Sequence, residues 1–197
     1  MTGEDGKAGW RARLRAARRE LAPADLTAAA DALREHLLVR LAGAGRIAAY
    51  VPVGREPGSL GLLDAVRDGG TEVLLPVVVP GGLDWVAYRG AAELVDGALG
   101  TREPAGQRLG TASVATVDAV LVPALAVDRL GTRLGRGGGY YDRALALVGR
   151  GPTVAALLHD GELVDRLPHD PWDRPVNAAV TPRLGWTELP VVEHHDS

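Results

Sequence analysis

The sequence contains no cysteine, which excludes disulfides and thiolate metal sites and leaves the redox compartment open. No apolar run approaches the ~18 residues of a membrane span, and the opening MTGEDGKAGW lacks the apolar core of a secretion signal. A soluble cytoplasmic protein without a membrane partner is therefore expected. A net charge of −3 offers no field suited to general nucleic-acid binding, so no nucleic-acid partner is expected either. Several catalytic signatures are missing too. No Lys-Ser/Thr pair follows the glycine-rich segment, as a Walker A loop would require. There is no GxGxxG unit, and no GxSxG elbow offers a serine nucleophile. The histidines are too scattered for zinc: His36, His159 and His169 stand far apart, and His194-His195 sit in a terminal tail. Lysine is almost absent as well. Of 22 basic residues Lys7 is the only lysine, and the rest are arginine. That one position stands out.

What is present has the pattern of an α/β protein. At 197 residues, with 46% hydrophobic and 24% charged residues, the chain suits one domain with a sizeable core. Spacing predicts a helix from Lys7 to Leu21 with Trp10, Leu14, Ala17 and Leu21 on one stripe. At ~100° per residue, Lys7, Arg11 and Arg18 fall on a second stripe beside it. A solvated Arg-rich face is the commoner explanation for such a stripe. Pro23 and Asp25 open a second helix, to about Leu41. Residues 46–52 read as a buried strand, Ser59 caps a helix running to Asp68, and 72–76 form a second strand, which together make a parallel crossover unit. Ligands in such folds gather in the loops after the strands, so Glu56 is a site candidate. A solvated residue is the commoner explanation for a loop glutamate.

Further along, 83–89 reads as a hairpin strand with Trp85 and Tyr88 on opposite faces. The stretch from Ala91 to Thr116 has little periodicity, with Glu103-Pro104 extended. Val117–Pro123 reads as a strand, 142–149 as a helix and 153–158 as another buried strand. A short helical pattern follows Gly161, and 178–181 is the last strand. Residues 1–6 and 187–197 are expected to be flexible, within one domain spanning 1–197.

The most informative stretch is Val122–Leu145. An apolar run stops at Pro123, a glycine-rich polar segment follows, and Tyr140-Tyr141-Asp142-Arg143 opens a helix. Strand, glycine loop and helix N-terminus bring unpaired N–H groups and the helix dipole together around an anion. Glycine runs also serve turns with positive φ. Here Arg133 and Arg136 add fixed positive charge, and Asp142 adds a carboxylate suited to magnesium. The combination predicts a nucleotide-phosphate site.

The run Arg133-Leu134-Gly135-Arg136-Gly137-Gly138-Gly139-Tyr140-Tyr141-Asp142-Arg143 resembles the signature of the 5-formyltetrahydrofolate cyclo-ligases, also called 5,10-methenyltetrahydrofolate synthetases. The resemblance spans nearly the whole chain. Lys7-Ala8-Gly9-Trp10-Arg11, with Arg18, resembles the family's phosphate-binding N-terminal helix. Tyr50-Val51-Pro52 with Glu56 resembles its first strand and folate-contacting glutamate. Glu103-Pro104 and Pro123 to Asp128 match further landmarks, and Asp173 stands where a second metal-ligating aspartate is expected.

The resemblance implies a three-layer α/β/α domain with a central, mostly parallel sheet, of the NagB/RpiA-like kind. It implies ATP- and Mg²⁺-dependent conversion of 5-formyltetrahydrofolate to 5,10-methenyltetrahydrofolate, through a phosphorylated formyl intermediate. Lys7, Arg136 and Tyr140 would be catalytic. ATP would be bound by Lys7, Arg11 and the run from Arg133 to Tyr141, and folate by Val51, Glu56 and Arg136 to Tyr140. Asp142 and Asp173 would hold Mg²⁺. A monomer, or at most a weak dimer, is expected.

The chain departs from the family pattern in three places: Gly138, where some relatives carry Lys; Asn177, where many have an acid; and Leu99, where an aromatic residue often covers the folate. Two alternatives stay open at this level. One is a folate- or nucleotide-binding homologue without turnover, and the other is a phosphosugar isomerase on a related scaffold.

Overall fold

A computed structural model describes residues 6–190. The chain begins with helices α1 (Lys7–Glu20) and α2 (Pro23–Arg40), followed by β1 (Arg46–Ala48), α3 (Leu60–Asp68), β2 (Glu72–Val79) and β3 (Gly82–Ala87). A small hairpin of β4 (Leu94–Asp96) and β5 (Arg102–Pro104) precedes β6 (Ala119–Pro123), β7 (Ala126–Asp128) and β8 (Arg133–Leu134). Then come α4 (Tyr140–Leu145), β9 (Thr153–Leu157), β10 (Leu163–Val164), β11 (Ala178–Thr181) and β12 (Gly185–Glu188).

The apolar runs assemble into a seven-stranded sheet of order β12-β11-β9-β6-β1-β2-β3. Its inner pairs are parallel, and antiparallel hairpins close both edges. Strands covered on both faces need apolar residues on both, which is why these segments lack polar alternation. On one face Leu33 and Leu37 of α2 and Leu62 and Leu63 of α3 pack over Ile47, Leu121 and Leu157. On the other, Val114 of a 3₁₀ turn and Ala144 and Leu145 of α4 pack over Leu74, Val120 and Ala156. The result is the expected three-layer α/β/α arrangement. Trp85 and Tyr88 enter opposite cores, as their spacing predicts.

Some boundaries differ from expectation. β1 ends at Ala48, and the chain leaves the sheet at Tyr50, whose hydroxyl donates to the Pro57 carbonyl at 2.6 Å. The segment after Gly161 is not helical. Leu163-Val164 pairs in parallel with Val127-Asp128, forming a second sheet of order β10-β7-β8. Two apolar neighbours are too few to fix a period. α4 opens at Tyr140, behind Gly139 in the left-handed conformation, but it ends at Leu145 rather than near residue 149. Beyond it, Leu147 and Val148 make the tighter i−3 hydrogen bonds of a 3₁₀ turn. The tail does not loosen at residue 187, since Thr187 and Glu188 pair with Ala179 and Ala178. His194 and His195 and the side chain of Leu99 lie outside what the structure describes. Among the described residues, no helix is long and apolar enough to cross a membrane.

The strand order reverses at β1. From β1 the chain steps outward to β2 and β3, then returns to the other side of β1 as β6. Loops leaving β1 and β6 therefore diverge at the carboxyl ends of these strands, and open parallel sheets bind ligands at such a switch point.

Candidate active site

The apolar stripe of α1 packs on the small sheet, with Trp10 and Leu14 against Ala126, Leu134 and Leu167. That contact turns the basic stripe toward the loop leaving β8. Arg11 Nε donates to the Gly135 carbonyl at 2.9 Å, and Arg15 Nη2 to the Arg136 carbonyl at 3.3 Å. One turn earlier, Lys7 Nζ reaches Asp170 at 2.7 Å and Asp173 at 2.5 Å. Burial opposes the Lys7 charge, but these two carboxylates outweigh it and hold the ammonium pKa above its usual value. At the far end, Arg18 is buried in a bidentate pair with Glu162, at 2.7 Å on both oxygens, and also donates to the Ala124 carbonyl. The stripe is thus a seam between α1 and the site, not a solvated face.

The glycine loop runs from Gly135 to Gly139. Gly139 has φ +67°, a conformation that L side chains disfavour, and an added Cβ would meet the flexible tip of Arg143 at 3.0 Å. At Gly137, with φ +109°, Arg11 packs directly against the backbone. α4 has only six residues, so its dipole is a lesser source of positive potential than sequence suggested. The arginines and loop amides carry more of it. Arg133 is buried and pairs with Asp142 at 2.8 Å. Its Nε has no hydrogen-bond partner, and its guanidinium lies 5.9 Å from the Tyr141 ring centre. Burial pushes the Tyr141 phenol pKa well up, with the Glu56 charge adding and Arg133 opposing.

Across from this loop stands Glu56. Its Oε2 accepts from the Val53 amide at 3.0 Å, while Oε1 meets Arg136 Nη2 at 2.9 Å. The side chain is nearly enclosed, so the solvated reading of this glutamate fails. Loop, helix and glutamate line one cavity of about 830 Å³, at the upper end of the range for small-molecule pockets. Its lining combines the charged side chains of Lys7, Arg11, Asp142, Asp170 and Asp173 with the apolar ones of Val51, Val78 and Leu83. Every residue anticipated for ATP, folate or metal lines this cavity, although Leu134 is itself core.

Sequence reasoning missed four contributors. Arg15 follows Arg11 at the same four-residue spacing, a signal that was available. Asp170, Trp172 and Glu162 had none, because only the tertiary path of the 159–174 segment brings Asp170 and Glu162 to α1 and Trp172 to the cavity. Asn177 turns out to be structural. It accepts from the Val154 amide at 2.8 Å and does not line the cavity.

The donor set fits magnesium in its usual sparse protein ligation, in which phosphates and water complete the shell. Asp142 uses Oδ1 for both of its contacts, with Arg133 and the Arg174 amide, and Asp173 uses Oδ2 for its contacts with Lys7 and the Asp170 amide. Each carboxylate keeps a second oxygen for a hard cation.

Known proteins carry the same pattern. The model of the 5-formyltetrahydrofolate cyclo-ligase family matches residues 4–182. The 5-formyltetrahydrofolate cyclo-ligase of Mycolicibacterium smegmatis is 42% identical over 166 residues, covering 81% of this chain and 85% of that protein. The Escherichia coli K12 protein of the same name is 33% identical over 144 residues, covering 71% and 79%. A solved structure of Aquifex aeolicus 5,10-methenyltetrahydrofolate synthetase superposes with a TM-score of 0.74 at 29% identity, over 96% of this chain and 97% of that one. The Mycoplasma pneumoniae synthetase shares the fold, with a TM-score of 0.70 at 18% identity over 88% and 96%. Sequence and architecture agree across nearly the whole described length, and the chain belongs to the 5-formyltetrahydrofolate cyclo-ligase family.

Proposed function

We propose that the protein converts 5-formyltetrahydrofolate and ATP, with Mg²⁺, into 5,10-methenyltetrahydrofolate, ADP and phosphate. The observation that carries this reading is the single cavity lined by the glycine loop, α1 and the loop after β1, which the Arg136–Glu56 pair joins. A phosphoryl group passing from nucleotide to folate has to cross at that junction. The formyl oxygen attacks the γ-phosphorus and ADP leaves. N10 then attacks the activated formyl carbon, phosphate departs with the former formyl oxygen, and N10 gives up its proton as the methenyl bridge closes.

Such transfer depends on positioning and charge neutralisation rather than on a protein nucleophile. Lys7 has three N–H donors and spends two on Asp170 and Asp173, so a third remains for a phosphate oxygen. Arg136, half exposed at the junction, follows charge onto the transferred group. Glu56 accepts N–H donors of the pterin, with Val51 as an apolar wall, and Tyr140 offers a ring face at the folate end. Magnesium held by Asp142 and Asp173 would neutralise polyphosphate charge.

The test is the absorbance of methenyltetrahydrofolate formed by purified protein from 5-formyltetrahydrofolate, with ATP and Mg²⁺ each present or omitted. Product is expected only with both. Folded protein that forms none, or forms it without ATP, sinks this reading.

A further inference from the structure

We propose that Trp172 is the stacking platform for the adenine base of ATP. The proposal rests on the ATP-dependent reading above and names the part of the nucleotide site that reading leaves without a residue. Trp172 is 70% exposed yet lines the cavity. The other tryptophans are all engaged: Trp85 is fully buried, Trp10 lies under Arg13, and Trp186 lies under Arg40. A large aromatic left open at the mouth of a pocket contributes little to folding and is poised for a ligand.

The backbone presents this side chain rigidly. Asp173 N donates to the Asp170 carbonyl at 3.1 Å, closing a β-turn with Pro171 and Trp172 at its central positions. Pro is favoured at the first of these because its φ is already set. The Asp173 carboxylate accepts from the Asp170 amide at 2.8 Å, and Lys7 bridges the carboxylates of Asp170 and Asp173 from outside. The Arg174 amide ties the following residue to Asp142. An exposed indole on a turn fixed at both ends loses little freedom when a ring stacks on it.

Position selects the base over the folate. The turn is held by Lys7, which the proposed function assigns to phosphate, and it borders Asp142. The residues proposed for folate, Val51 and Glu56, lie instead on the loop after β1. A purine joined to phosphates gripped by Lys7 meets Trp172 first. Stacking uses the ring face and asks for no particular base-edge pattern.

The test compares wild type, Trp172→Ala and Trp172→Phe by calorimetric titration with Mg·ATP and with Mg·tripolyphosphate, alongside steady-state kinetics. Trp172→Ala should weaken ATP binding and raise its KM roughly tenfold. Trp172→Phe should restore both to within about twofold. Tripolyphosphate affinity and the KM for 5-formyltetrahydrofolate should not move, and quenching of tryptophan fluorescence by ATP should vanish in Trp172→Phe. Unchanged ATP affinity in Trp172→Ala overturns the proposal. So does a loss that appears equally with tripolyphosphate, which would mean the Lys7 clamp was disturbed, or a loss confined to the folate KM. A wild-type protein that binds ATP but forms no methenyl product sinks the functional reading and leaves this one standing.

Discussion

Removing the carboxylate of Glu162 should cost more stability than any other single change to the polar frame of the site. Arg18 and Glu162 are 6% and 5% exposed, and their two hydrogen bonds are both 2.7 Å long. Glu162→Ala leaves the guanidinium buried with the Ala124 carbonyl as its remaining partner. It also strips the His159 amide of its acceptor. Breaking one side of a buried pair costs about 3–5 kcal/mol because the stranded charge stays desolvated. In a chain of this length each kcal/mol moves Tm by roughly 2–4 °C, so a fall of roughly 6–20 °C is expected. Arg18→Met/Glu162→Leu removes both charges and should recover most of the loss, since well-packed apolar replacements of buried pairs are often neutral or better. Thermal and urea unfolding followed by far-UV circular dichroism reads all three variants. The reasoning fails if Glu162→Ala melts within about 2 °C of wild type, which is less than 1 kcal/mol. It also fails if the double variant is no more stable than the weaker single.

Lys7→Ala and Arg136→Ala should raise the KM for ATP or lower kcat without unfolding the protein, because both side chains sit at the cavity and not in the core; steady-state kinetics with circular dichroism separates the cases. Asp142→Asn should shift the magnesium titration and also lower the Tm of magnesium-free protein by a few degrees, since it removes the partner of buried Arg133; no change in either would refute both roles. Gly131→Ala should destabilise strongly: φ is +85°, and the added Cβ would lie 2.3 Å from the Val176 carbonyl oxygen, which a melting curve will show. Stability should fall as pH rises past about 10. Burial raises the phenols of Tyr50, Tyr141 and Tyr88, the last to about 12, so the unfolded chain loses these protons first and the stabilisation fades through the folded pKa values. Urea midpoints that stay flat across that window would contradict the assignment.

The sequence made the sheet legible because its strands are buried on both faces and bounded by Gly and Pro. It also marked the glycine loop and Glu56 by residue type. Partner choice was not legible. Nothing in PHDPWD announces that Asp170 and Asp173 will share Lys7, because that pairing spans more than 160 residues and depends on how α1 seats on β7 and β8. The same seating sets Arg11 Nε on the Gly135 carbonyl, a contact that the basic stripe alone does not announce. Residues 163–164 were misread because a two-residue strand has no periodicity to detect.

The pairings also explain how a site rich in cations stays ordered without its ligands. Lys7, Arg133 and Arg136 are each held by a carboxylate and Arg11 by a carbonyl, so the positive groups are aimed before substrate arrives. Such preorganisation is where electrostatic catalysis gains most. The same carboxylates repel a polyphosphate, and at separations of a few ångströms that repulsion is large in a partly enclosed site. On the proposed reading, a divalent cation travelling with the nucleotide would remove the conflict by taking Asp142 and Asp173 as ligands. On the same reading, a folate that engaged Glu56 would compete for the oxygen now bonded to Arg136. Folate binding would then free Arg136 for the phosphoryl group only when an acceptor is present.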